Sequence, residues 1–255
     1  MVTIKCCDRA WNNIQAIIFD KDGTLEDSHN FLRELGITRA RIIDAQIPGI
    51  GEPLLMAFGI DNNFLDPTGL MAVGSRQENE IAAAAYIAET GCSWFKSKQI
   101  AANAFVEADR YCQKTAVNAP LFPGSLELIK LLSQVGLKLG ILSADSTAKV
   151  EEFVKIHQLS DYIQLAMGTD RGLTKPDPQL FIQACQKLEV EPSCTVMIGD
   201  SQGDIIMAQA AGAAGTIGIA WNGFEATHLK KADVAITKCL AGSEIGCWEQ
   251  IQVLH

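Results

Sequence analysis

The chain has 255 residues, 48% of them hydrophobic, which is enough apolar material for one sizeable domain or a core with a smaller companion. Its 30 acidic residues outnumber 21 Lys and Arg for a formal charge of −9, and no basic run is long enough to follow a phosphate backbone, which argues against nucleic acid and anionic membrane surfaces as partners. No segment is long and apolar enough to span a bilayer, and the opening "MVTIKCCDRAWNNI" mixes charged and polar residues where a signal peptide needs a continuous apolar stretch, so the expected location is cytoplasmic.

The first strong element along the chain is "AIIF" (16 to 19), a β-rich apolar run that passes directly into Asp20, Lys21, Asp22, Gly23 and Thr24. From about residue 27 to 119 no convincing strand follows, but helical material does, in "QENEIAAAAYIAE" (77 to 89) and "WFKSKQIAANAFVEADRYCQK" (94 to 114). Connections beyond about 12 to 15 residues are uncommon in compact domains. Residues 27–119 therefore read as an inserted helical domain, with "NAPLFPG" (118 to 124) as the return linker and residues 1–26 and 120–255 as the main domain.

Beyond the linker, apolar runs at 137–142, 162–167, 195–198, 216–220 and 233–236 alternate with helical patterns at 124–136, 178–190 and 203–213. The runs are nearly continuous rather than alternating, as in strands covered on both faces. The fold class expected is α/β, a Rossmann-like doubly wound parallel sheet carrying an inserted α-helical domain. Eight cysteines (6, 7, 92, 112, 185, 194, 239 and 247) form no CxxC pair and no zinc-like spacing, and read as reduced thiols, mostly buried.

In an open parallel sheet, ligands bind beyond the carboxyl ends of the strands. Four loops there carry chemistry. Asp20 and Asp22, at i and i+2, can face one side of an extended segment, and two adjacent carboxylates need a cation or a shared proton to coexist. Mg²⁺, a hard cation that takes oxygen ligands and keeps waters for a substrate phosphate, suits them, although an acidic surface turn explains the pair as well when it is taken alone. In "GDSQGD", Asp200 and Asp204 are further metal-ligand candidates, with helix N-capping as the plainer role for Asp204. In "SADS", Ser143 reads as opening a helix, where its hydroxyl and the amide of Ala144 would cradle an anion or simply cap. Lys175, before the Pro-x-Pro turn of "LTKPDPQLF", could hold a phosphoryl group, though a lone lysine is more often a solvated one.

Together and in this order, "DKDGT", Ser143, Lys175 and "GDSQGD" resemble the four motifs of the haloacid dehalogenase-like hydrolase superfamily, over nearly the whole chain and with a helical insert of the type called a C1 cap. The resemblance implies a phosphoglycolate phosphatase-like enzyme acting on a small phosphorylated metabolite. Asp20 would be the nucleophile and Asp22 the general acid and base. Mg²⁺ would be held by Asp20, the Asp22 carbonyl and Asp200, with Asp204 supporting, and Gly23, Thr24, Ser143, Ala144 and Lys175 would bind phosphate. Asp22 disfavours a dehalogenase, and Thr24 stands where β-phosphoglucomutase-like enzymes usually carry valine. The alternatives are such a phosphomutase or a regulatory protein without turnover.

The cap would close over the site and choose the leaving group. Arg39, Arg41 and Arg76 are candidates to meet an anionic substrate, although arginines on a helical domain are more often solvated. Residues 58–75 read as a specificity loop or a plain connection, and His29 as a surface residue near the hinge. A phosphonatase would need a desolvated lysine, for which Lys96, Lys98 and Lys114 are the residues available.

Overall fold

The computed structural model describes residues 2–170, 172–221, 226–237 and 246–254, without the side chains of 246 and 247. By contacts the chain divides into two units, Met1–Asp27 with Pro120–His255, and Ser28–Ala119.

The first unit is built on six strands, of which the inner ones are buried along nearly their whole length. The six are β3 (Ala16–Phe19), β6 (Lys138–Leu142), β7 (Leu165–Met167), β8 (Thr195–Gly199), β9 (Gly215–Ile219) and β10 (Val234–Ile236), in the order β10-β9-β8-β3-β6-β7. All neighbours are parallel. Alternation along β3 sends Ile17 and Phe19 into one apolar layer and Ala16 and Ile18 into the other. The first layer is closed by α6 (Ser125–Gln134) through Leu128, Ile129 and Leu132 and by α7 (Thr147–Ile156) through Val150 and Phe153. The second is closed by α8 (Pro178–Lys187) through Leu180, Phe181 and Ala184 and by α9 (Gln202–Ala210) through Met207 and Ala208. Burial on both faces explains the continuous apolar runs, and this doubly wound α/β sheet is the one expected.

A second sheet has no counterpart in the sequence reading. Strands β1 (Val2–Cys6) and β2 (Arg9–Ile14) form an antiparallel hairpin, and β1 also pairs with β11 (Ile251–Leu254). Its inward residues Ile4, Cys6, Trp11, Ile14 and Ile251 join the core layer of Ile17 and Phe19. Trp248, 1% exposed, stands edge-on to both Phe19 and Trp221 and donates its indole N–H to Ser125 Oγ at 3.0 Å.

The second unit holds α1 (His29–Gln46), α2 (Gly51–Phe58), α3 (Leu70–Val73), α4 (Arg76–Glu89) and α5 (Trp94–Tyr111) around their own core, which includes Ile43, Leu54, Phe58, Ile87 and Phe105. Ser75 and Glu78 form a reciprocal capping box at the start of α4. The unit is not free of strand. Ile60–Asp61 (β4) and Phe64–Leu65 (β5) pair antiparallel around Asn62, whose φ of +50° suits a tight turn. Such two-residue strands are too short to leave a periodicity in sequence.

The described cysteines 6, 7, 92, 112, 185 and 194 are free thiols, but only Cys6 and Cys185 are buried and Cys7 is exposed, so "mostly buried" does not hold for them. Cys239 and the side chain of Cys247 lie outside the described residues. Among the described residues no helix is long and apolar enough to cross a membrane.

Candidate active site

Strand register decides which loops meet. Phe19 is level with Ile141 on one side and Ile198 on the other, so the residues just beyond β3, β6 and β8 emerge together where strand order reverses about β3. Asp20 continues that alignment, its amide donating to the Ile198 carbonyl at 2.8 Å.

Asp20, Asp200 and Asp204 bring one carboxylate oxygen each within 4.8 Å of one another. Lys175 reaches this cluster from the loop before α8. Its Nζ lies 2.5 Å from Asp20 Oδ1 and 2.6 Å from Asp204 Oδ1, and its side chain is only 7% exposed, so it is no solvated lysine. Asp177 fixes that loop by capping α8 at the Gln179 amide.

The Asp20 carboxyl is pushed up to about 7, chiefly by burial; the Lys175 ammonium works against the rise and Asp204 and Asp22 add to it. Asp200 is raised well above the ordinary carboxylate range by burial and by Asp20 and Asp204. For Lys175 burial opposes the charge, but Asp20 and Asp204 overcome it and hold the ammonium above its usual range. Once ionised, three carboxylates facing one ammonium leave two negative charges uncompensated, and every donor is a hard oxygen. That is the chemistry of a divalent cation such as Mg²⁺, and the residues fit it.

Asp204 is not the N-cap itself but the third helical residue of a capping box with Ser201, so it shares in the capping. The helix begins earlier than the sequence suggested, at Gln202, with Ser201 as its cap. Asp204 Oδ2 accepts from the Ser201 hydroxyl at 2.6 Å and amide at 3.2 Å, while its other oxygen is paired with Lys175. It is 0% exposed, and both ends of its carboxylate are engaged in orienting others.

Asp22 is not in the carboxylate cluster. Its side chain is hydrogen-bonded to Lys21, the residue between the two aspartates, which strand parity alone would turn the other way. Lys21 is 1% exposed and also meets Asp145 Oδ2 at 2.9 Å and Glu26 Oε2 at 3.8 Å. Burial works against its charge, yet Asp145, Asp22 and Glu26 hold it well above the usual lysine range. The repulsion expected between Asp20 and Asp22 is thus relieved by two separate lysines.

Gly23 and Thr24 lie against Asp200. Gly23 has φ +75°, and Thr24 Oγ1 is 3.3 Å from Asp200 Oδ1. Ser143 is buried, its amide bonded to the Met167 carbonyl and its Oγ accepting from the Asp145 amide at 3.2 Å. It does not open the helix. α7 starts at Thr147, whose amide is taken by the Asp170 carboxylate at 3.0 Å, so the helix dipole is already met there and Ser143 and Ala144 stand in the preceding loop. Two supports were missed in sequence. The Trp221 indole donates to the Thr24 carbonyl at 3.0 Å and His228 Nε2 lies 3.0 Å from the Asp200 carbonyl. Trp221 follows β9 almost at once, so the rule that led to the four loops reaches it too.

In the helical unit Arg39 stacks on Phe105 at 4.1 Å and pairs with Asp109 at 3.5 Å, and Arg76 pairs with Glu80 and Asp109, so both serve that unit's own packing. Arg41 lines an open cavity of about 1030 Å³ within the unit, together with Glu52, Met56 and Phe64. His29 begins α1. Lys96 and Lys98 are exposed and Lys114 is half-buried over Phe31, so none is desolvated as a Schiff-base lysine must be.

In comparisons with known proteins, the family model described as haloacid dehalogenase-like hydrolase matches residues 14–212. The chain is 28% identical over 229 residues to a probable phosphatase, IndB, of Dickeya dadantii, covering 85% of this chain and 86% of that protein. It is 26% identical over 246 residues to the phosphoglycolate phosphatase of Neisseria meningitidis, covering 95% and 96%. A crystal structure of a predicted phosphoglycolate phosphatase from Haemophilus somnus superposes with a TM-score of 0.62 over 88% of this chain and 94% of that one; at 19% identity this likeness speaks for the fold.

Proposed function

The chain belongs to the haloacid dehalogenase-like hydrolases, and from that premise we propose that it is a Mg²⁺-dependent phosphatase that hydrolyses a small phosphomonoester through an aspartyl-phosphate on Asp20. The observation that carries the reading is the meeting of Asp20, Lys175, Asp200 and Asp204 at the carboxyl ends of β3 and β8. Relatives named as phosphatases, matched over most of their length, support the reaction class.

In this reading the side chains of Asp20 and Asp200 and the carbonyl of Asp22 hold Mg²⁺, and Asp204 supports them by orienting Lys175 and the start of α9. When bound, the ion supplies positive charge for the phosphoryl oxygens. Lys175, Ser143, the Ala144 amide, Gly23 and Thr24 bind the phosphoryl group, and its spread charge in the transition state is what these donors stabilise. Asp20 attacks phosphorus, the bond to the leaving oxygen breaks, and that oxygen takes the electron pair and a proton from the Asp22 carboxyl. Asp22, now a carboxylate, removes a proton from the water that attacks the aspartyl-phosphate, releasing inorganic phosphate and Asp20.

The helical unit is assigned to a cap of C1 type. Thr24 stands where the mutase alternative usually carries valine, and this supports the hydrolytic reading; its hydroxyl reaches Asp200. The test is Asp20→Asn assayed with p-nitrophenyl phosphate and Mg²⁺. Phosphate release is expected to fall by about a thousandfold or more; undiminished turnover would overturn the assignment of the nucleophile, and isomer without free phosphate from sugar phosphates would favour the mutase.

A further inference from the structure

Lys21 takes no part in the scheme above, yet it is among the largest fully buried side chains of the protein. A lysine is almost never buried this deeply unless it is paired. Its Nζ is hydrogen-bonded to Asp22 Oδ2 and lies 2.9 Å from Asp145 Oδ2. Asp145 in turn donates its amide to the hydroxyl of Ser143 at 3.2 Å, and its carbonyl accepts from the Thr169 amide at 2.9 Å. Glu26, also 1% exposed, meets Nζ at 3.8 Å and is itself held at 3.2 Å by His157, the residue that caps the end of α7. The Lys21 carbonyl accepts the amides of Leu25 and Glu26, closing the turn that carries Asp22. One ammonium thus ties the loop after β3 to the loop after β6.

We infer that Lys21 is a positioning residue: it fixes the Asp22 carboxyl group and sets it in register with the Ser143 loop, so that proton donation to the leaving oxygen depends on it. The inference rests on Asp22 being the acid proposed above. Its physical basis is orientation. A carboxyl with one oxygen gripped by a buried ammonium, itself held by two further carboxylates, has little freedom to turn, and a misplacement of about 1 Å can cost about a hundredfold in rate. An aliphatic side chain in place of Lys21 would remove that grip and leave Asp22, Asp145 and the buried Glu26 without their shared ammonium, at a cost in stability.

The test separates this role from a merely structural one by the leaving group. Release of an alkoxide needs the proton, whereas p-nitrophenolate departs without one. First-turnover release is measured by rapid quench for p-nitrophenyl phosphate and for the alkyl phosphate that the wild type cleaves fastest. Lys21→Met is expected to slow alkyl release by about a hundredfold or more, in keeping with the usual contribution of a general acid, and p-nitrophenolate release by only about threefold. Lys21→Arg keeps the charge but not the position of the nitrogen, and should show the same selectivity in weaker form; it decides alone if circular dichroism shows the Met variant unfolded. Equal losses on both esters, or no loss on either, would overturn the role of Lys21. Asp22→Asn is the control: a selective loss there with none at Lys21 sinks this inference alone. An unselective loss, or a wild type that cleaves neither ester, sinks the reading it rests on.

Discussion

A β-carbon placed on Gly23 would stand 2.1 Å from Oδ2 of Asp200, well inside contact distance, and Gly23 has the positive φ of +75° that side chains rarely adopt. The loop after β3 and the loop after β8 can approach so closely only because this position has no side chain. Gly23→Ala should therefore displace Asp200. Expected are a destabilisation of about 2 to 4 kcal/mol in urea titration and weaker Mg²⁺ binding by calorimetry. Wild-type Mg²⁺ affinity in the variant would show that Asp200 is not a ligand.

Lys175 is the ammonium shared by Asp20 and Asp204. Lys175→Met leaves both carboxylates buried without it, which should lower the stability of the metal-free protein by about 3 to 5 kcal/mol. Saturating Mg²⁺ should recover part of that loss, since a cation again faces the carboxylates, while activity stays low. Equal stability of variant and wild type in EDTA would mean that the pair contributes nothing net.

Asp20 takes up its proton at about 7 in the folded protein against an ordinary value of 3.8. Between those limits the folded state holds a proton that the unfolded state has lost, so stability from this group declines as pH rises through the window and levels off above it. Asp200 shifts in the same direction. Metal-free wild type should lose melting temperature from pH 5 to 7.5 relative to Asp20→Asn. Mg²⁺ should bind more tightly as pH rises, because it competes with those protons. A metal-free melting curve that rises relative to the variant across this range would contradict the shift.

Trp248 joins the C-terminal segment to the sheet through Phe19, Trp221 and Ser125. Trp248→Ala removes a fully buried side chain and should cost about 3 to 5 kcal/mol by denaturant titration. Because Trp221 also holds the Thr24 carbonyl, activity should fall more steeply with temperature than in the wild type. A loss under about 1 kcal/mol would mean that the site collapses without a cavity.

The central sheet was legible in sequence because strands buried on both faces have an unmistakable composition, as in "AIIF" and "TVMI". The loops that follow them were legible for the same reason, since polar residues stand out at the ends of apolar runs. The antiparallel sheet was not. In "RAWNNI" only Trp11 and Ile14 are buried, two positions that fit neither a period of two nor a continuous run. The partner of Asp22 was not legible, because strand parity places Lys21 opposite both aspartates and the reach of its four-carbon stem back to Asp22 leaves no mark in sequence. The start of α7 was misread because an acid distant in the chain, Asp170, occupies its first amide in place of the nearest hydroxyl.

Strand β3 stands in the middle of the sheet, yet both strands it bonds to, β6 and β8, come more than a hundred residues later in the chain. During synthesis it leaves the ribosome with two open edges. The helical unit, whose core is formed entirely by residues between Leu35 and Ala108, is fully synthesised before either partner exists. The chain therefore has to shield a sticky apolar segment through the time taken to make a whole second globule, and the wait ends only when Ile198 has emerged.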